Sequence, residues 1–339
     1  MADLYADALA EGGRAIIYAG GDTPGQQDYF KGLFEKRFPN TTLDFVVDYS
    51  KNHNARIDLQ LANSTLVPDL VQLQTLQDFP RWKKEGVLLQ YKPRSWDAIC
   101  PEFKDAEGYY TGIYIIVFTN CLNKYLLPNQ SSWPTEAQDY LRPELQGEIT
   151  LTYPNDDDAV LFLYKLIVDK YGWDYVEKLS AQNITWVRGT QEPADALAEN
   201  RTSAAPATAC SMYNPEDSPI VFALPKNDPF VTWPQTAAIF KNAKHPATAK
   251  LYLNWITEKE TQEKYWMMWS VRRDATPPKG FKGVFQYPSQ TDPTEFGRFM
   301  ADRAAVERFR QKLQLYVGEV MGDPSPGTLG LYPDKALPH

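Results

Sequence analysis

Between Ile16 and Phe38 the sequence changes period twice, and that change restricts the chain to few folds. Ile16, Ile17 and Tyr18 form a short β-branched and aromatic run. Ala19-Gly20-Gly21-Asp22-Thr23-Pro24 then reads as a turn, and Phe30, Leu33, Phe34 and Phe38 recur at the three-to-four spacing of a helix stripe. A strand that passes through glycines into a helix opens a βα unit, and such a loop can aim backbone N–H groups at a ligand above the sheet. The same glycines also serve an ordinary tight connection.

The pattern repeats. Asp3 to Glu11 predicts a short leading helix stopped by Gly12-Gly13; Leu43 to Asp48 and Pro68 to Leu73 predict strands; Ala55 to Ala62 and Leu76 to Lys84 predict helices, before Gly86-Val-Leu-Leu. Strands alternating with helices over short connections imply an α/β fold with a mostly parallel sheet covered on both faces. Tyr109 to Asn120 is the longest β-branched and aromatic run, too apolar for a surface strand. A second series follows: strands at 148–152, 184–187, 219–224 and 235–240, an apolar stretch at 204–210, and helices at 134–140, 159–171, 173–182 and 193–199. The remainder reads as helical at 246–256, 258–269 and 293–317, with an extended proline-rich tail from Asp323.

A chain of 339 residues, 43% hydrophobic and 13% aromatic, buries a large core and divides into about two domains. No apolar run reaches the roughly 20 residues that span a bilayer. The net charge of -8 and pI of 5.1, with no cluster of Lys or Arg, argue against a nucleic-acid surface. Three cysteines (Cys100, Cys121, Cys210) and three widely spaced histidines give no metal-ligand pattern and call for no cofactor; one disulfide with a leftover thiol is open, its pairing unspecified. Sequons at Asn40, Asn63, Asn129, Asn183 and Asn200 point to secretion, with a leader removed ahead of Met1.

No nucleophile elbow, P-loop or H-E-x-x-H zinc motif is present. The order Leu4…Ala8…Glu11-Gly12, Pro68-Asp69-Leu70-Val71, Glu85-Gly86-Val87-Leu88, Gly108-Tyr109-Tyr110, Asn120 and Pro143-Glu144-Leu145-Gln146-Gly147 resembles the extracellular solute-binding proteins of the ferric-iron transporter type. Ala243 to Leu251 and Thr261-Gln262-Glu263 extend the likeness over about residues 3 to 275. The resemblance implies a two-lobed type II periplasmic-binding-protein fold with two crossing hinge strands. Residues 110–120 would make the first crossing and 219–224 the return. Lobe one would comprise 1–115 and 222–320, lobe two 116–221, and 321–339 an extended tail. Such a protein is a monomer that holds a small molecule or ion between its lobes and, in a bacterium, delivers it to an ABC-type permease.

In the ferric members iron is held by a His, a Glu and two adjacent tyrosines. Those positions fall here on Asp22, on Gln74 and on a lone Tyr213 preceded by Met212, a poor donor set for hard Fe(III). The implied cleft comprises Gly20, Gly21, Asp22 and Thr23; Gln72, Gln74 and Thr75; Tyr153, Asp156, Asp157 and Asp158; Arg188, Thr190 and Gln191; and Tyr213. The Asp156-Asp157-Asp158 run suits a cation, an amine or hydroxyl groups, although an Asp at a helix start also caps the helix. Tyr153, Tyr213 and Trp233 are candidates for stacking. The alternatives are an enzyme on this fold, using a carboxylate pair or acting in thiamin-pyrimidine synthesis, and a secreted protein-interaction module.

Overall fold

The computed structural model describes residues 1–325, 327 and 329–333. Ala2–Ala10 forms α1, and β1 (Arg14–Gly20), α2 (Asp28–Arg37), β2 (Thr42–Asp48), α3 (Ser50–Ala62), β3 (Leu70–Leu73) and α4 (Asp78–Lys84) follow in the alternation expected. The long strand β4 (Thr111–Asn123) leads to β5 (Thr150–Thr152), α5 (Asp158–Tyr171), α6 (Trp173–Ser180), β6 (Thr185–Val187), α7 (Gln191–Ala198), β7 (Ala204–Thr208) and β8 (Ile220–Ala223). Strand β9 (Val231–Ile239), α8 (Pro246–Ile256), α9 (Glu295–Ala301) and α10 (Arg303–Val317) complete the chain.

Strands run in the order β2-β1-β3-β9-β4-β7, with β8 also on β4 and a separate β5–β6 pair. β1 pairs in parallel with both β2 and β3, so the ends of all three strands reach one edge. β9 runs antiparallel to both β3 and β4. β4 is buried because its side chains enter separate cores, Tyr114 in one, Ile115 and Val117 in another and Phe118 and Leu122 in a third, while its edges pair with β9 along Thr111 to Phe118 and with β8 along Asn120 to Asn123. One core gathers Phe34, Phe38, Leu43, Leu70, Tyr252 and Trp255. Another gathers Leu151, Val160, Phe162, Tyr175 and Phe296. The architecture is thus a two-lobed α/β fold joined by two crossing strands.

Several sequence expectations are corrected. The strand returning beside β4 is β9, not residues 219–224; β8 pairs only with the last four residues of β4. The expected strand at 235–240 begins earlier, at Val231, and carries Pro234 in its interior opposite Ile115. A proline donates nothing to the ladder, which disguises such a strand. The expected helix at 258–269 shrinks to one wide turn, Thr261–Tyr265, and that at 134–140 to a single tight turn, Ala137–Leu141. The helix expected at 293–317 breaks at Asp302, whose carboxylate accepts from Ala305 N (2.9 Å) and caps α10. Phe296, Met300, Val306 and Leu313 of α9 and α10 pack in the core of α5 and α6, apart from the first-lobe elements with which the sequence reading grouped them. The tail forms neither helix nor strand where it is described; Pro326, Thr328 and Asp334 to His339 lie outside the described residues.

Candidate functional site

The sheet topology fixes where a ligand can sit. In an open α/β sheet the loops at the carboxyl ends of parallel strands diverge and leave a crevice. Here the ends of β1, β2 and β3 supply Gly20 to Asp22, Tyr49 to Lys51, and Gln74. Facing them, the loops after β5, β6 and β7 supply Asp156 to Asp158, Gly189, Thr190 and Ala209. Ile116, Phe118, Trp233 and Gln235 of the crossing strands form the floor. The cavity, open to solvent on one side, measures about 110 Å³.

The glycine loop does not offer free N–H groups. Gly21 N bonds Asp48 O (3.0 Å), and Asp22 N bonds Gln26 Oε1 (2.6 Å). Gly20 is needed for close approach: a Cβ there would lie 2.2 Å from Ser50 Oγ. What the loop contributes is a carboxylate. Asp22 Oδ2 accepts from Thr190 N (2.9 Å), Thr190 Oγ1 (2.8 Å) and Gln191 N (3.1 Å), so a side chain of one lobe caps a helix of the other. Burial pushes the Asp22 carboxyl up despite these donors.

The three consecutive aspartates have three different environments. Asp156 accepts from Arg188 Nε (2.9 Å) and is paired with Lys51 across the cleft; the two cations hold its carboxyl below the usual value against the effect of burial. Asp158 is paired with Arg310 of α10. Asp157 caps α5, accepting from Ala159 N (2.8 Å) and Val160 N (2.9 Å), and meets Gln74 Nε2 at 3.5 Å from the opposite lobe. It is half-buried and lines the cavity. Desolvation, followed by Asp158 and Asp22, raises its carboxyl to about 7. Lys51, Arg188 and Arg310 therefore answer Asp156 and Asp158. Among the described residues, Asp22 and Asp157 have no salt-bridge partner.

The Lys51–Asp156 contact gives a modest expectation. Lys51 is 40% exposed and Asp156 keeps Arg188, so Lys51→Met should lower stability by at most about 1 kcal/mol, measured by urea unfolding. A loss of several kcal/mol would contradict this geometry.

Of the residues expected at the cleft, Gly20, Gly21, Asp22, Gln74, Asp156, Asp157, Asp158 and Thr190 line the cavity. Arg188 and Gln191 act one step back, on Asp156 and Asp22. Thr23, Gln72, Thr75, Tyr153 and Tyr213 do not line it. Gln72 is fully buried and accepts from Tyr252 OH (2.7 Å); Thr75 is buried in the turn before α4; Tyr153 stacks on Trp186 at 5.7 Å. Tyr213 is 59% exposed because its neighbour Met212 is drawn into a core with Ile99, Phe230 and Trp269. Sequence reasoning missed Tyr49, Ser50 and Lys51, although the end of β2, adjacent to β1 in a parallel sheet, was a signal for them.

Comparison with known proteins agrees with this architecture. A family model described as bacterial extracellular solute-binding protein matches residues 19–263. A comparison with curated proteins finds no match. The periplasmic binding protein AfuA from Actinobacillus pleuropneumoniae, with exogenous fructose-6-phosphate bound, is 19% identical with a TM-score of 0.70, covering 91% of this chain and 99% of its own. The substrate binding protein of an ABC transporter from Agrobacterium tumefaciens is 13% identical with a TM-score of 0.74, covering 90% and 94%. Iron-bound HitA from Pseudomonas aeruginosa is 13% identical with a TM-score of 0.63, covering 88% and 99%. Two lobes, paired crossing strands and a cavity between them agree with a match over most of the sequence: the chain belongs to the family of bacterial extracellular solute-binding proteins.

Proposed function

We propose that the chain captures a compact cationic solute, foremost an organic amine, in the cavity between its lobes and releases it chemically unchanged when the lobes open. The observation carrying this reading is the charge balance: four carboxylates line the cavity, and Asp22 and Asp157 lack a cationic partner. Burying two such groups costs free energy that an ammonium group offsets. Phe118 and Trp233, meeting edge to face at 4.9 Å, add an aromatic wall suited to a cation. Lobe closure then follows from contacts that a solute makes with both sides at once.

In this reading the first lobe is residues 1–115 with α8, and the second is 116–230 with α9 and α10. The protein acts as a monomer, outside the cytoplasm, and hands its solute to a membrane permease of the ABC type. The Cys121–Cys210 disulfide and the exposure of Asn40, Asn63, Asn129, Asn183 and Asn200 support an oxidising, extracellular setting. Ferric iron in the His/Glu/Tyr/Tyr manner fits poorly, since Gln74 is neutral and Tyr213 lies outside the cavity.

A second reading, a sugar phosphate, draws on the fructose-6-phosphate-bound relative and on the Thr190 and Gln191 N–H groups at the start of α7. It requires Asp22 to withdraw. Thermal unfolding at pH 8 with ethanolamine, putrescine, inorganic phosphate and fructose-6-phosphate separates the two. A bound solute at 100 times its dissociation constant adds about 2.7 kcal/mol. Stabilisation by an amine, lost in Asp22→Asn, is the expected result; stabilisation by the phosphates alone would overturn it.

A further inference from the structure

We propose that the C-terminal segment is a strap that lies across the mouth of the cleft and ties the two lobes together, so that the chain itself sets how readily the cleft opens. It leaves α10 on the second lobe, where Asn155 Nδ2 donates to Gly318 O (3.0 Å) and Arg188 Nη1 to Gly322 O (3.1 Å). At the mouth, Ser325 N donates to Tyr49 OH (3.2 Å) and Ser325 Oγ to Asp22 O. On the first lobe Arg56 Nε donates to Gly330 O (2.7 Å) and Gln60 Nε2 to Leu331 O (2.8 Å), and Thr65 Oγ1 meets Tyr332 OH at 2.7 Å.

The first-lobe contact is a built receptor. Arg56 is 6% exposed and Gln60 fully buried. Arg56 is fixed by Asp48 (2.6 Å) and by the ring of His53 (2.8 Å), while Gln60 also accepts from Val67 N (3.1 Å). Both side chains are held in place by first-lobe groups, Gln60 Nε2 also donating to Tyr18 OH (3.1 Å), so they meet the segment's carbonyls with donors already oriented and favour its docking. Tyr49 and Asp22 line the cleft and lie on the strap's path, and Arg188 on that path holds Asp156 of the cleft. Undocking the strap therefore loosens the cleft loops, whatever solute the cleft takes.

Gly330 has φ 72 with nothing near its missing Cβ, so Gly330→Val strains only the backbone of the strap. Arg56→Lys keeps the charge beside Asp48 but removes the Nε donor. Hydrogen–deuterium exchange of the full chain, resolved by mass spectrometry, reads both. In the parent protein the tail residues 318–325 and 329–333 should exchange more slowly than a free chain. In each variant they should exchange about tenfold faster, and the peptides carrying Asp22 and Gly189 to Gln191 should accelerate with them. Free-chain exchange of these residues in the parent, or faster exchange of the tail with no change in the two cleft loops, would overturn the strap. Neither readout depends on a solute, so it stands or falls apart from the amine reading.

Discussion

Replacing Asp157 by asparagine should make the empty protein more stable at high pH and a worse binder of amines. Asn keeps the cap on α5, because its carbonyl oxygen can accept from Ala159 N and Val160 N as Asp157 does. It removes a carboxyl that holds its proton to about 7 in the folded state, against 3.8 for an ordinary Asp. Between those values the folded protein binds the extra proton. Stability contributed by this site therefore falls as pH rises from about 4 to about 7, by at most about 4 kcal/mol. The advantage of Asp157→Asn over the parent should grow through that window and level off above it, in urea unfolding measured at pH 5, 6, 7 and 8. A pH-independent difference would show that Asp157 is not desolvated. Stability rising where affinity falls is the expected mark of a group retained for binding.

Removing the Cys121–Cys210 disulfide should instead lower stability. The bridge closes 89 residues of sequence between β4 and the segment after β7, and a loop of that size is worth about 4 kcal/mol in the unfolded chain. Cys210 also adjoins Ala209, which lines the cavity. Cys121→Ala with Cys210→Ala should lower thermal and urea stability by about that amount, whereas Cys100→Ala, buried but unbridged, should cost only its packing. Equal losses for the two variants would contradict the assignment of the bridge as the stapling element.

Much of the fold was legible because local periods agree with global topology. The βα units from Ile16 to Lys84 occupy much the same ground in sequence and structure, and the β-branched and aromatic run at 109–120 announced a buried strand. The return strand was obscured by Pro234, and the break before α10 by a single capping Asp302 within an otherwise helical run. The site was legible where loops end parallel strands and less so where tertiary packing decides orientation. Tyr213 could not be placed without knowing that Met212 is buried. The sequence of the glycine loop fits both a donor cradle and an ordinary tight connection; Asp48 and Gln26 consume the N–H groups of Gly21 and Asp22 and leave a carboxylate as the loop's working part. The strap had no local signature, since its partners Arg56 and Gln60 lie more than 270 residues away.

An amine entering the cavity would complete its charge. Isothermal titration calorimetry of putrescine into the protein at pH 8 and at pH 6 tests this most directly. At pH 8 Asp157 is largely ionised and binding should be one-to-one. At pH 6 the amine must first displace its proton, so affinity should fall about tenfold, with proton release seen on changing the buffer. The affinity at pH 8 should vanish in Asp157→Asn. Affinity that is unchanged or stronger at pH 6, or inorganic phosphate binding in place of putrescine, would contradict the cationic cleft.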